Sequence, residues 1–125
     1  MRPEDAVRIR HMIDAAEAAR SFLDGRQRSS LDEDQMLLFA LVRAVEIIGE
    51  AASRVTLETR CAVPVVPWMA IIGMRKRLVH AYFDIDRDVL WKTVTEEIPD
   101  LIPLPRQAFP KLKTRVEKRF SARTP

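Results

Sequence analysis

A chain of 125 residues and 14.4 kDa is sized for one compact domain with a single core. Apolar residues make up 47% and charged residues 31%, with only three Gly and eight Pro, which excludes collagen, low-complexity disorder and a turn-rich β-sandwich. Cys61 is the sole cysteine, so no disulfide closes within the chain and no cysteine-based zinc cage can form. Met1-Arg2-Pro3-Glu4-Asp5 leads into no apolar signal segment, and no run approaches the ~18 apolar residues of a membrane span. These features predict a soluble cytoplasmic protein without a membrane partner.

The net charge of +3 is unevenly placed. Residues 106–125 hold seven Lys/Arg and one acid, Glu117, for a net +6, which leaves −3 on residues 1–105. A basic terminal block is either a solvated last helix with a tail or a steering element for a polyanion such as RNA.

Helical spacing dominates the chain. A first helix is predicted over 4–23, started by Pro3 and ended by Gly25, with Val7, Ile9, Met12, Ile13, Ala16, Ala19, Phe22 and Leu23 on its apolar face. After a polar loop, a second and longest helix is predicted over 32–57, roughly 39 Å at 1.5 Å per residue. Leu37, Leu41, Ala44, Ile48, Ala51 and Val55 form one seam along it, and Leu38, Val42, Val45, Gly49 and Ala52 a neighbouring one. Two seams make a wider apolar surface than one neighbouring helix needs. Gly49 costs about 1 kcal/mol inside a helix, and a close backbone there would explain it. Both features predict an additional packed helix, from this chain or from a second copy.

Residues 61–66, with Pro64, are predicted as an extended linker. A third helix follows from Pro67 to Tyr82 or Phe83, with Trp68, Ile71, Ile72, Leu78 and Val79 inward. Asp84 and Asp86 offer caps for a fourth helix over 87–98, whose core candidates are Val89, Leu90, Trp91, Val94 and Ile98. Pro99, Pro103 and Pro105 are expected to break the chain before a last helix over 106–120. The predicted architecture is a single all-α domain over 1–125, a bundle of four or five helices.

The common phosphate-loop, zinc-protease and serine-hydrolase signatures are missing. Two histidines, His11 and His80, and one cysteine are too few for a transition-metal cage in one chain. His11, inside an amphipathic helix, reads as structural, as do Trp68 and Trp91. One dense segment remains, residues 73–86, with Arg75-Lys76-Arg77, His80 and the sole tyrosine, Tyr82. On an unbroken helix Arg75 and Tyr82 lie within about 20° of one face, whereas Arg75 and His80 stand about 140° apart. Arg75 and His80 serve one phosphate only if the helix distorts or a second copy supplies part of the site. The residue types permit RNA cleavage without metal. His exchanges a proton near neutral pH, Arg grips a phosphate with two donors and stabilises its growing charge, and the ribose 2′-OH is the nucleophile. A solvated run of cations with a surface histidine at a helix end fits the same spacing.

This segment resembles the HepT-type toxins of the HEPN superfamily, whose mark is Arg, four to six residues, then His, commonly extended to H-x-Y. Here it reads Arg75-x4-His80-Ala81-Tyr82. Residues 44–52, A-V-E-I-I-G-E-A-A, are similar to that family's long second helix, and Pro99-Asp100-Leu101 to the start of its last one. The resemblance covers nearly the whole chain. It implies an up-and-down HEPN bundle, a homodimer whose two motifs meet in a cleft, and metal-independent endoribonuclease activity in a type II toxin–antitoxin system. Carried onto this chain, Arg75 and His80 would be catalytic, Lys76 and Arg77 auxiliary in binding RNA, and Tyr82 the acceptor of AMP. The AMP would come from a minimal nucleotidyltransferase antitoxin of the MntA type, which alone uses ATP and Mg²⁺; the chain itself would need no cofactor. The residue after the motif Arg is often Asn in that family; Lys76 adds charge but cannot accept a hydrogen bond. A second reading is a non-catalytic HEPN subunit that docks on a nucleotidyltransferase or carries its substrate.

Overall fold

A computed structural model describes residues 1–78, 84–110 and 112. Among them the architecture is all-α, in chain order α1 (Pro3–Phe22), α2 (Ser30–Glu33), α3 (Gln35–Arg54), α4 (Leu57–Ala62), α5 (Trp68–Leu78), α6 (Arg87–Lys92), α7 (Ile98–Leu101) and α8 (Pro103–Ala108). A π-helical turn, Thr93–Glu97, joins α6 to α7. No helix among the described residues is long and apolar enough to cross a membrane.

α3 is the central element, packed against α1 on one side and α5 on another. Both of its seams are buried, Leu41, Val45, Ile48 and Ala52 completely. The wide apolar surface is therefore covered within the chain. A Cβ on Gly49 would stand 3.4 Å from the Ile72 carbonyl oxygen and 3.6 Å from that of Ile71, so the close backbone belongs to α5. Neither the seams nor Gly49 requires a second copy.

The long predicted helix over 32–57 is three helices. Asp34 is extended, and its Oδ1 accepts the Leu37 N–H at 3.1 Å, which makes Asp34 the cap that opens α3. That bond holds the Asp34 carboxyl below its usual range, with partial burial opposing it and Arg26 adding to it. Val55 ends α3 in an extended conformation, and Thr56 caps α4 through the Thr59 N–H. α4 takes Cys61 and Ala62 out of the predicted linker, and Cys61 is exposed. At the end of α1 Gly25 takes φ +72°, the left-handed geometry that stops a helix. Phe22, expected inside, is 40% exposed.

The prolines do not break the chain. Pro99 and Pro103 occupy first-turn positions of α7 and α8, where the missing N–H is not needed. Pro99 would still press its ring on the carbonyl four residues earlier in a regular helix; the π turn just before it opens that spacing. The last helix among the described residues begins at Pro103 and ends at Ala108, and Arg106 on it bonds to Glu17 of α1. The remainder of the predicted helix over 106–120, apart from 109, 110 and 112, lies outside the described residues.

Candidate functional site

The dense segment begins on α5. Ile71, Met74 and Leu78, spaced three and four apart, are fully buried and set one face of the helix in the core. Trp68 fixes its start: the ring is buried and its indole N–H donates to the Val63 carbonyl at 3.1 Å. The face left outside carries Arg75, Lys76 and Arg77, all exposed in the last turn. Met74, between Gly73 and Arg75, was missed as a core residue because the cations after it mask the periodicity.

The three cations differ in what they touch. Arg77 forms a fork with Glu97 of the π turn, Nη1 to Oε1 at 3.0 Å and Nη2 to Oε2 at 2.9 Å. This leaves three of its five N–H groups for other acceptors. Among the described residues, Arg75 and Lys76 have no hydrogen-bond or ion-pair partner through their side chains. The sequence holds no sign that Arg77 is tied and Arg75 is not, because Glu97 is 20 residues away.

The far side of the segment is also anchored. The Asp86 N–H donates to the Leu78 carbonyl at 2.9 Å, so the chain returns to the end of α5 eight positions later. The Asp86 carboxylate caps α6 by accepting the Val89 N–H at 3.1 Å, as its position predicts, whereas Asp84 caps no helix among the described residues. His80 and Tyr82 lie between these two anchors and outside the described residues.

A second polar cluster has no counterpart among the sequence motifs. Asp5 is 1% exposed, and its carboxylate accepts the Thr56 N–H at 2.9 Å, the Thr56 hydroxyl at 2.7 Å and the Thr59 hydroxyl at 2.6 Å. Burial pushes its carboxyl up; the bonds from Thr59 and Thr56, with Arg2, outweigh it and hold it below the ordinary value. The cluster locks α1 to the start of α4 and has no open face for a substrate. His11 is exposed, beside Arg43 of α3 along one groove. Trp91 is half-buried against the core, in keeping with its structural reading.

Residues 12–108 match the sequence model of a family described as Ribonuclease HepT-like. The chain is 47% identical over 68 residues to the "Probable ribonuclease HepT" of Thermococcus cleftensis, an alignment covering 54% of this chain and 62% of that protein. It is 43% identical over 68 residues to a protein of Methanocaldococcus jannaschii named as an RNase candidate, covering 54% and 62%. It is 36% identical over 93 residues to another such protein, of Caldanaerobacter subterraneus subsp. tengcongensis, covering 74% and 83%. The chain thus spans 62% of the length of the first two relatives. No solved structure matches it.

Proposed function

Because the chain belongs to the HepT-like ribonuclease family, we propose that it is a metal-independent endoribonuclease and the toxin of a type II toxin–antitoxin pair. The observation that carries this reading is the state of Arg75. It stands exposed on a helix whose inner face, Met74 and Leu78, is fully buried, and it has no counter-charge among the described residues. A guanidinium so placed is ready to take a phosphate through two donors.

In the proposed reaction Arg75 holds the scissile phosphate and stabilises the charge that builds on it. The ribose 2′-oxygen forms a bond to phosphorus as the bond from phosphorus to the 5′-oxygen breaks. The 2′-OH proton leaves, the 5′-oxygen gains one, and His80 is the group that exchanges protons. The products are a 2′,3′-cyclic phosphate and a 5′-hydroxyl. Lys76 adds positive charge beside Arg75, and Arg77 contributes through the donors that Glu97 leaves open. Two copies form a homodimer in which Arg75 and His80 from both chains build the cleft. Control comes from a minimal nucleotidyltransferase that uses ATP and Mg²⁺ to place AMP on Tyr82.

Incubating the purified chain with total RNA in EDTA tests this reading. Wild type should cut, while Arg75→Ala and His80→Ala should not and should retain their helical circular dichroism. Equal cutting by wild type and His80→Ala would remove the assigned chemistry.

A further inference from the structure

Residues 1–105 carry a net charge of −3, yet one groove on this acidic body is lined with cations. It lies between α1 and α3, has a volume of about 460 Å³, and takes Arg8 and His11 from α1 and Arg43 and Arg54 from α3. Ile47 and Ala51 supply apolar lining between them, and Glu50 is the one acid of the lining.

The counter-charges in the groove are weak competitors. Glu50 pairs with Arg54 at 3.1 Å, one turn away on the same helix, and Glu46 approaches Arg43 at 3.6 Å, too long for a hydrogen bond. The Arg54 and Arg43 side chains are 58% and 63% exposed, and pairs in such settings contribute little. The Arg8 side chain has no ion pair or hydrogen bond among the described residues. Each guanidinium keeps donors for an incoming acceptor. The mix of fork-shaped donors and a short aliphatic strip suits a phosphodiester chain, whose phosphates meet the arginines while sugars or bases rest on Ile47 and Ala51.

The groove is separate from Arg75. At 100° per residue, positions 43, 47, 50 and 54 lie roughly 100–160° around α3 from Gly49, and Gly49 faces α5. The groove and the α5 cations therefore sit on different sides of the central helix.

We propose that the α1–α3 groove is a second RNA-binding site, an anchor for the phosphate backbone of single-stranded substrate away from the cleaving residues. This rests on the ribonuclease reading for the identity of the ligand. As an anchor it raises affinity and leaves the chemical step unchanged.

The test is binding of a fluorescein-labelled, fully 2′-O-methylated single strand of about 20 nucleotides to the full chain, read by anisotropy between about 50 and 300 mM salt. The modified strand lacks the nucleophile, so binding is measured whether or not the protein cleaves; failure of the ribonuclease reading shows separately, as no cutting of unmodified RNA. Arg8→Gln with Arg43→Gln should weaken binding at least about tenfold and flatten the salt slope by about 1.4, at roughly 0.7 per lost phosphate contact. Arg43→Lys should keep most of the affinity. Lys92→Gln, which removes one positive charge from an exposed position on α6, should match wild type. On unmodified RNA the groove variants should raise KM with kcat retained. Binding by the double variant equal to that of Lys92→Gln would overturn the proposal, as would wild type that binds no RNA. A dimer that becomes monomeric in the double variant would also overturn it, by making the groove a contact between copies.

Discussion

Arg77 at the end of α5 and Glu97 in the π turn face each other through two parallel hydrogen bonds of 3.0 and 2.9 Å. An inserted π residue rotates the downstream side chains by about one residue's turn relative to a regular helix, so the Thr93–Glu97 turn helps aim Glu97 at α5. The fork registers the last turn of α5, and Arg75 with it, against the α6–α7 arm. The Arg77 side chain is 50% exposed and that of Glu97 24%, which limits what the pair contributes to stability. A double-mutant cycle of Arg77→Ala and Glu97→Ala in urea unfolding should give a coupling of about 0.5–1 kcal/mol, the upper end for exposed pairs because the geometry is bidentate. Coupling near zero would mean that the fork does not persist in solution.

Gly73 and Gly49, on the two packed helices, differ in the room a side chain would find. A Cβ on Gly73 would meet nothing within 4 Å among the described residues, so Gly73→Ala should gain most of the roughly 1 kcal/mol of helix propensity. Gly49 has the α5 carbonyls at 3.4 and 3.6 Å from an added Cβ, so a methyl group there is already at contact distance. Gly49→Leu should therefore cost about 1–3 kcal/mol by overpacking. Thermal unfolding of both variants checks this; a stabilised Gly49→Leu would contradict the packing.

The seams of α3 were legible because eleven apolar positions at helical spacing have only one arrangement that buries them, and all eleven are buried. Gly49 was legible as a close approach, but a sequence cannot say whose backbone approaches. The breaks at Asp34 and Val55 were missed because the apolar spacing does not mark them: the seams begin only at Leu37 and include Val55, and the caps set the ends locally. The Asp34-x-x-Leu37 and Thr56-x-x-Thr59 spacings were the available signals. Pairings across the fold, Asp5 with Thr59 or Arg77 with Glu97, carry no local signature, since nothing near either residue specifies a partner 54 or 20 positions away. At the candidate site the cations of α5 were readable from sequence, but their division into one tied side chain and two without a partner among the described residues was not.

The proposed regulation predicts a mass change. In that reaction the Tyr82 phenol oxygen bonds to the α-phosphorus of ATP and pyrophosphate leaves. The added phosphodiester is an anion that competes with RNA for Arg75. Tyr82→Phe should retain most ribonuclease activity and show no AMP adduct by intact mass after incubation with the partner enzyme, ATP and Mg²⁺. An adduct on Tyr82→Phe equal to that on wild type would place the modification elsewhere. Sedimentation of the wild type at low micromolar concentration should give about 29 kDa, twice the 14.4 kDa chain; a monomer would undo the shared cleft.

The Asp5 cluster predicts how stability depends on acid. The carboxylate is buried and bonded by the Thr56 N–H and by two hydroxyls, and its pKa in the folded chain is lowered. A lowered pKa means that the folded state holds the ionised form more tightly than the unfolded chain does, whose Asp titrates near ~3.9. The stabilisation is therefore fully present above about pH 5 and drains away as pH falls through ~3.9 and then through the lower folded value. Asp5→Asn keeps the shape but removes the charge, and it turns one acceptor into a donor facing hydroxyls that already donate. It should cost about 1–3 kcal/mol at pH 7, the range for a buried hydrogen-bonded group left mispaired. Lowering the pH to about 3 should narrow the gap between wild type and variant, because the unfolded wild-type chain then takes up a proton at Asp5 and the advantage of the ionised form shrinks. Urea unfolding of both proteins at the two pH values is the measurement. A gap that stays constant with pH would show that the charge of Asp5 contributes nothing and that hydrogen-bond shape alone holds α1 to α4.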